Sequence, residues 1–421
     1  MNKREFIKNI SLAGMAVPIL SFPLRLNAAQ NLKTSLASLN KGDFWLRIRE
    51  DYILKPEYIN LENGYYNISP QPTLKKYLDH IAHVNKEGAF YMRGVQEENK
   101  EKINARLAKF VGCAETELIL TRNTTESLNL IISGYPWQEG DEAIMAHQDY
   151  GAMLNMFQQV SKRVGMVNKF VDIPQDPTSD EELVALYESQ ITSRTKLLMI
   201  CHMVNITGHI LPVRKICDMA HKHGVEVMVD GAHCIGHINV NIEELHCDYY
   251  GSSLHKWVAA PLGVGMLYIN KNRISKIWPL FAESITESDN ILRLNHTGTH
   301  PVHTHLAIAD ALDYLELIGI QRKEERLRYL QRYWSQQLRE VENINIFTPT
   351  QEHRSCAIAN IGVTGIPARE LAKILLEEHG VFTVGIENAG VNGCRITPNV
   401  YTTTVELDHF VASMKSIAAG F

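Results

Sequence analysis

Residues 225–233 read V-E-V-M-V-D-G-A-H, an apolar run that ends in a carboxylate, a glycine and a histidine. Continuous apolar runs of this length are typical of strands that are buried on both faces of a parallel sheet. A carboxylate at the end of such a strand needs a cationic or hydrogen-bonding partner, because an isolated buried charge is costly. We therefore place Asp230 at the end of a buried strand and treat it as a candidate functional group.

Similar apolar runs recur on both sides of this stretch, and segments with helical spacing separate most of them. The predicted strands are residues 117–121, 142–146, 196–203, 225–229 and 263–269. The predicted helices are residues 101–111, 212–223, 301–318, 321–341, 367–378 and 405–418. This alternation predicts an α/β fold with a mostly parallel sheet in a large domain and helices on both faces.

The character of the chain changes at about residue 290, where long helical patterns precede short strands. This change predicts a smaller α+β domain at the C-terminus. We divide the chain into a signal-like segment (1–28), an N-terminal segment (29–60), a large domain (61–290) and a small domain (291–421).

The composition excludes several classes of protein. The chain has 421 residues, 45% of them apolar and 21% charged, which is the mix of a soluble globular protein. Its net charge of −5 argues against a dedicated nucleic-acid-binding protein. The seven cysteines form no C-x-x-C pair, and an odd number excludes a complete disulfide framework.

The first 28 residues have the pattern of an export signal. The stretch K-R-E-F-I-K at residues 3–8 precedes an apolar run over residues 10–24, and Ala28 and Ala29 offer a cleavage site. The order resembles a twin-arginine signal in which Lys replaces the first Arg. Ser, Gly and Pro interrupt the apolar run, so we expect no stable membrane insertion. We expect an exported, periplasmic protein, with a cytoplasmic location as the alternative.

Three further polar groups lie next to the ends of predicted strands. Residues 121–127, T-R-N-T-T-E-S, form a hydroxyl-rich entry into an apolar helix, which suits either a plain helix cap or a phosphate site. Asn205 closes the strand at residues 196–203, and S-S-L-H-K-W at residues 252–257 precedes the last strand. Because ligands of open α/β sheets bind at the carboxyl ends of strands, we expect these groups to meet Asp230 at one site.

Pyridoxal phosphate is the cofactor whose chemistry needs this combination of groups. It requires a lysine for a Schiff base, an acid opposite the pyridine nitrogen, and donors for the phosphate. Lys256, Asp230 and the turn at residues 121–127 provide these three functions in one α/β domain.

From about residue 60 to residue 421, the sequence resembles the class V aminotransferase family of fold-type I pyridoxal-phosphate enzymes, which includes cysteine desulfurases and isopenicillin N epimerase. The resemblance rests on V-D-G-A-H at residues 229–233, S-x-H-K at residues 253–256 and T-E-S at residues 125–127. It implies that Lys256 holds the cofactor and moves the substrate α-proton, that Asp230 pairs with the pyridine N–H, and that Tyr150 stacks on the ring.

The resemblance also implies a wider set of cofactor contacts. His233 and Asn205 would lie near the phenolic oxygen of the cofactor, and the phosphate would be bound by Thr124, Thr125, Ser253 and His255. Gly298 and Thr299 match a pair that reaches the phosphate of the neighbouring subunit in relatives, which implies a homodimer with shared active sites.

For the substrate, the resemblance implies that Arg395 clamps the α-carboxylate of an amino acid and that Asn63 assists. We expect no metal ion, because the candidate clusters H-x-x-H-x-H at residues 300–305 and H-x-H at residues 221–223 have no further ligand nearby in sequence.

The segment before Arg395 separates the branches of the family. Cysteine desulfurases carry a catalytic cysteine there, whereas residues 385–393 read G-I-E-N-A-G-V-N-G, and Cys394 is expected to be a core thiol. The resemblance therefore favours an isopenicillin N epimerase-like or aminotransferase reaction at the α-carbon. A desulfurase-like β-elimination is the alternative, and a non-catalytic protein that retains the fold is a remote one.

Overall fold

The computed structural model describes residues 40–420, so the predicted export signal lies outside the described residues and stays a prediction. The chain divides into one unit that ends at Ile48 and one that spans Arg49–Phe421. In the described residues, the first unit contributes most of helix α1 (Lys41–Arg49). The elements that follow belong to the second unit.

A seven-stranded sheet forms the centre of the second unit, with the order β2-β8-β7-β6-β5-β3-β4. Its strands are β2 (Leu118–Thr121), β3 (Glu142–Ala146), β4 (Val167–Val171), β5 (Thr195–Cys201), β6 (Glu226–Asp230), β7 (Tyr249–Ser253) and β8 (Gly265–Ile269). Within this sheet, β8 runs antiparallel to both of its neighbours, and the other pairs are parallel. The prediction of a mostly parallel sheet is confirmed.

Helices cover both faces of this sheet. The helices in this part of the chain are α2 (Gln71–Glu87), α3 (Ala89–Gly94), α4 (Gln96–Val111), α5 (Thr124–Gly134), α6 (Gly151–Val164), α7 (Asp180–Glu188), α8 (Val213–Lys222) and α9 (Ile242–Leu245). Helices α4 to α9 contribute side chains to the apolar clusters against the sheet. Along β6, Val227 and Val229 enter one apolar cluster and Met228 enters another. Successive side chains of a strand point to opposite faces, so the two clusters are the cores on the two sides of the sheet.

The C-terminal elements form a second sheet. Its order is β12-β13-β10-β9, and its strands are antiparallel. The elements are α10 (Val302–Ile318), α11 (Ile320–Ser335), β9 (Ile344–Ile346), β10 (Ala359–Val363), α12 (Ala368–Glu377), β11 (Val381–Phe382), β12 (Val384–Asn388), β13 (Val391–Ile396) and α13 (Thr404–Ala419). The boundary near residue 290 stays a prediction, although the two sheets lie on either side of it.

A short parallel pair links the start of the second unit to its C-terminal elements. Strand β1 (Ile59–Asn60) pairs with β11, and the backbone N–H of Thr397 donates to the carbonyl of Leu61 at 2.7 Å. The pairing holds the segment that follows β1 beside the end of β13. Residues 62–64 are thereby placed next to Arg395.

All seven cysteines lie in the described part of the chain and are free thiols. Six are buried and Cys113 is half-buried. None of the helices between residues 40 and 420 has the length and apolar character needed to cross a bilayer.

Candidate active site

A cavity of about 310 Å³ lies at the carboxyl edge of the parallel strands. Its walls come from the segments that follow β2, β3, β5, β6 and β7, together with residues from β13 and from the segment after β1. The structure brings together at this cavity the following residues predicted from the sequence: Thr124, Thr125, Tyr150, Asn205, Asp230, His233, Ser253, His255, Lys256 and Arg395. The convergence of strand ends inferred from the sequence is therefore observed.

Lys256 lies in the turn after β7, and its Nζ is 3.1 Å from Nε2 of His233. Burial lowers the pKa of Lys256 to about 8, with the Asp230 carboxylate acting in the opposite direction. A lysine with this pKa is partly a neutral amine near neutral pH. The side chain is therefore suited to attack a carbonyl group.

The tautomer of His233 follows from its neighbours. Burial lowers the pKa of His233 well below its ordinary value, so the ring is neutral, with one N–H and one acceptor nitrogen. The indole N–H of Trp257 donates to Nδ1 of His233 at 3.4 Å, which makes Nδ1 the acceptor. Nε2 then carries the hydrogen and donates to Nζ of Lys256. Trp257 and His233 together favour the amine form of the lysine.

Asp230 is the last residue of β6 and is only 4% exposed. Its Oδ1 accepts the backbone N–H of Ala232 at 3.0 Å. Burial raises the pKa of Asp230, while the Ala232 N–H and the nearby Lys256 oppose that change. A carboxylate in this position is suited to pair with a protonated ring nitrogen in the cavity.

The start of helix α5 forms a cradle for an anion. The backbone N–H of Thr124 donates to Oγ of Ser253 at 2.9 Å, and the two hydroxyl oxygens are 2.7 Å apart. Asn123 caps the helix by accepting the N–H of Glu126. The first turn of a helix leaves N–H groups without partners inside the helix and carries the positive end of its dipole, so this cradle suits a phosphate.

A glycine in β8 allows this cradle to form. A Cβ on Gly265 would lie 2.7 Å from Cα of Asn123 and 2.8 Å from the carbonyl oxygen of Ser252. Contacts this short are not tolerated in packed structures. The absence of a side chain at Gly265 therefore lets the helix cap approach the strand edge that carries Ser253.

Two polar atoms at the cavity lack a partner among the described residues. They are Nδ1 of His255 and Oδ1 of Asn205, and both are buried. Burial lowers the pKa of His255 to about 4, so its ring is neutral. Unpaired buried polar atoms are costly, and both residues line the cavity, where a polar ligand would supply hydrogen-bond partners.

Tyr150 immediately precedes helix α6 and lines the cavity with 46% of its surface exposed. The neighbouring residue Asp149 is buried, and its Oδ2 accepts the backbone N–H of Ala146 at 2.8 Å. This bond holds the turn that presents Tyr150. Burial raises the pKa of Asp149 to about 7, an effect that the bond from Ala146 opposes.

Arg395 in β13 is paired with a residue that our sequence analysis missed. Its Nη2 is 2.5 Å from Oε1 of Glu62, its Nε donates to Oε2 of Glu62 at 3.2 Å, and its Nη1 donates to the carbonyl of Asn205 at 3.2 Å. Glu62 directly precedes Asn63 in the sequence L-E-N-G. The available signal for Glu62 was its acidic side chain next to Asn63, which the sequence predicts at a substrate carboxylate.

Asn63 is not among the residues that line the cavity. Its side chain is fully buried, donates to the carbonyl of Thr397 at 2.7 Å and accepts the hydroxyl of Tyr401 at 2.6 Å. In this structure Asn63 supports the segment after β1, and the neighbouring Glu62 contacts the arginine.

Gly298 and Thr299 lie elsewhere in the chain. They line a second cavity of about 640 Å³, together with Arg93, Lys100 and His300. The structure does not bring them to Lys256 within one chain. Their predicted contact with a neighbouring subunit stays a prediction.

The fold is similar to those of solved enzymes. A cysteine desulfurase from Thermococcus onnurineus NA1, solved in its apo form, matches with a TM-score of 0.78 and 22% identity, over 89% of this chain and 98% of that chain. A cystine C–S lyase in complex with its product cysteine persulfide matches with a TM-score of 0.78 and 19% identity, over 86% of this chain and 98% of that chain.

Curated relatives match at the level of sequence. The isopenicillin N epimerase of Streptomyces clavuligerus is 25% identical over 390 residues, which cover 89% of this chain and 98% of the relative. A probable cysteine desulfurase of Halobacterium salinarum is 29% identical over 345 residues, which cover 77% of this chain and 81% of the relative.

The family model for aminotransferase class V matches residues 70–409. This span includes the seven-stranded and four-stranded sheets and every residue that lines the cavity except Gly64 and Tyr65. It covers well over half of the sequence, and the family resemblance seen in the sequence is confirmed. The chain therefore belongs to the aminotransferase class-V family.

Proposed function

We propose that the protein is a pyridoxal-phosphate-dependent enzyme that acts at the α-carbon of an amino acid, in an isopenicillin N epimerase-like or aminotransferase reaction. The observation that carries this proposal is the meeting of Lys256, Asp230 and the cradle of Thr124 and Ser253 at one cavity. When bound, the cofactor supplies an electron-accepting ring that stabilises negative charge at the substrate carbon.

The residues present fit this cofactor. The cradle at helix α5 suits its phosphate, the buried carboxylate of Asp230 suits its ring nitrogen, and Lys256 suits its aldehyde. The unpaired atoms of His255 and Asn205 gain hydrogen-bond partners from a polar ligand at this position. Tyr150 presents an aromatic ring beside the same space.

Lys256 then has two tasks, and its surroundings serve both. As a neutral amine it forms the covalent link to the cofactor, and the hydrogen bond from His233 favours that form. The same Nζ would take up the α-proton of a bound amino acid and return it. Asp230 would stay anionic beside a protonated ring nitrogen, because the opposite charge would offset the effect of its burial.

The thiols near the site favour α-carbon chemistry over persulfide chemistry. Burial raises the pKa of Cys394 to about 12, and its Sγ donates to the carbonyl of Ala368 at 3.5 Å. Cys201 lines the cavity, but burial raises its pKa well above the ordinary value. A reactive cysteine needs a lowered pKa, which neither thiol has.

A β-elimination at a sulfur-bearing substrate is the second candidate. It needs no protein thiol, and the fold is shared with a cystine C–S lyase.

We also propose a homodimer, in which Gly298 and Thr299 approach the phosphate of the partner. We further propose export to the periplasm, which the pattern of residues 1–28 supports.

The cofactor is tested first by the visible absorbance of the purified protein. We expect a band that borohydride reduction fixes covalently and that Lys256→Ala removes. A wild-type protein that lacks this band after incubation with pyridoxal phosphate would contradict the proposal.

The reaction is tested with L- and D-amino acids in D₂O. Exchange of the α-hydrogen with inversion identifies an epimerase, and keto acid without ammonia identifies a transaminase. Release of ammonia or sulfide identifies the elimination.

Cell fractionation tests the location, and an uncleaved protein found in the cytoplasm alone would contradict export.

A further inference from the structure

The charges around the cavity are already balanced by the chain itself. Among the described residues that line it, the cationic side chains are Arg122, Lys256 and Arg395. Arg122 is paired with Glu126 through bonds of 3.0 Å and 3.1 Å. Arg395 is paired with Glu62, and Lys256 is needed for the covalent link. An anionic substrate therefore meets no unpaired arginine.

Glu62 makes with Arg395 the contact that the sequence analysis expects of a substrate carboxylate. Both oxygens of Glu62 contact the guanidinium, the two-point geometry by which arginine recognises carboxylates. The side chains of Arg395 and Glu62 are 9% and 7% exposed. Salt screens such a buried pair far less than a surface pair.

Arg395 is held by packing and by a backbone carbonyl in addition to Glu62. A Cβ on Gly64 would lie 2.7 Å from its Cζ, so the guanidinium is packed flat against the backbone. Its Nη1 is held by the carbonyl of Asn205. Glu62 is also held by the backbone N–H of Tyr65 at 2.9 Å, but Tyr65 is 76% exposed and borders solvent.

We infer that Glu62 is a specificity-determining residue that closes the Arg395 clamp, so that a substrate carboxylate binds only by displacing it. The inference rests on the proposed function, because it concerns the substrate of the same site. Each α-carboxylate substrate gives up part of its binding free energy to break the internal pair. An amine without a carboxylate does not have to break it.

The test compares L-alanine with isopropylamine, which has a methyl group where alanine has its carboxylate. Binding of each to the holoenzyme is followed by the absorbance band of the bound cofactor and by calorimetry. In Glu62→Gln we expect the dissociation constant of L-alanine to fall about tenfold or more, while that of isopropylamine changes less than about twofold. In Glu62→Asp the shorter side chain reaches only one donor of Arg395. Its dissociation constant for L-alanine should therefore lie between those of the wild type and Glu62→Gln.

Two further variants separate this effect from others. Glu126→Gln removes the same charge from the other arginine at the cavity, and the ratio of alanine to isopropylamine affinity should stay unchanged. Combining Glu62→Gln with Arg395→Ala should abolish the gain, because the clamp is then absent.

Several outcomes would overturn the inference. One is a Glu62→Gln protein that binds L-alanine no more tightly than the wild type, whether or not the wild type binds it. Another is an equal gain in Glu126→Gln, which would mean a general effect of charge. Failure of the proposed function is recognised separately, as a wild-type protein without a cofactor band that depends on Lys256.

Discussion

At the scale of single residues, the environment of Lys256 depends on a side chain that touches neither cofactor nor substrate. Trp257 acts through His233 by occupying its Nδ1, and His237 stacks on the indole at a ring separation of 3.7 Å. Trp257, whose indole fixes the tautomer of His233, directly follows Lys256 in the sequence. Trp257 is therefore a positioning residue for the amine.

The first prediction concerns Trp257→Phe. Because the pKa of Lys256 is lowered to about 8, its amine is present above that pH and is lost as the pH falls below it. The rate at which the cofactor-free protein captures pyridoxal phosphate should therefore rise through pH 8. Loss of the indole N–H frees Nδ1 of His233 to carry the hydrogen, so Nε2 can accept from a charged lysine. The midpoint should move up by about one pH unit.

The measurement is stopped-flow absorbance across a pH series, with Trp257→Tyr as a control for ring packing without the indole N–H. Both variants should show the raised midpoint. An unchanged midpoint in a folded Trp257→Phe protein would show that the indole does not set the tautomer.

The second prediction concerns Asp230→Asn. The amide keeps the size of the side chain but removes the charge that holds a proton on the ring nitrogen. We expect the cofactor to remain covalently bound and turnover to fall on the order of 10³-fold. Absorbance before and after borohydride reduction, together with α-hydrogen exchange, measures both effects. Turnover within about tenfold of the wild type would contradict the assignment of Asp230.

The sequence predicts which residues line the cavity better than it predicts which side chains they bond to. Asp230 and Lys256 stand out because they end or follow strands, and strand ends of a parallel sheet share one edge. Glu62 was missed because its partner Arg395 is more than three hundred residues away along the chain. Asn63 was placed at the substrate, whereas the structure uses it to bind Thr397 and Tyr401.

At the scale of elements, apolar runs predict β2, β3, β5, β6 and β8 of the seven-stranded sheet. They miss β7, although it is buried along its whole length, because its sequence Y-Y-G-S-S contains no aliphatic residue. Residues 142–146 were predicted as a strand and match β3, where every residue is buried. Strand β4 was missed because it lies at the edge of the sheet and most of its residues are partly or fully exposed. An exposed edge strand such as β4 lacks the continuous apolar run that marks a buried strand.

The third prediction concerns the contact between β8 and the start of α5. Gly265→Ala places a methyl group against the backbone of Asn123 and Ser252, so the helix cap must move away from the strand. We expect the free energy of unfolding to fall by about 1–3 kcal/mol and the affinity for pyridoxal phosphate to weaken about tenfold. Thermal unfolding and equilibrium dialysis measure the two effects.

Gly94 in α3 provides the matched control, because nothing lies within 4 Å of a Cβ added there. Because Gly94 is the last residue of α3, Gly94→Ala should leave the free energy of unfolding unchanged or raise it by less than about 1 kcal/mol. A Gly265→Ala protein with normal stability and cofactor affinity would contradict the close approach of cap and strand.

At the scale of the whole molecule, Gly298 and Thr299 line a different cavity from Lys256. The proposed dimer would use them at the site of the other subunit. The fourth prediction mixes Lys256→Ala with Thr299→Asp, whose carboxylate repels a phosphate. Each protein alone should be nearly inactive, because one lacks the amine and the other repels the cofactor.

After the two proteins are denatured and refolded together, half of the dimers are hybrids, each with one intact site. Activity should therefore recover to about a quarter of the wild-type value. The wild type, denatured and refolded in the same way, provides the reference. A mixture that stays inactive would contradict shared sites.

The distribution of the free thiols also makes the protein suitable for a measurement of its own unfolding. Six thiols are buried in the native state, including Cys201 at the wall of the cavity, and only Cys113 is half-buried. Burial raises the pKa of Cys113 to about 12, so this thiol reacts slowly as well. A short pulse of an alkylating reagent, counted by mass spectrometry, would therefore leave native molecules nearly unlabelled and add up to seven groups to globally unfolded ones. Intermediate mass peaks would identify which part of the chain opens first, without any engineered label.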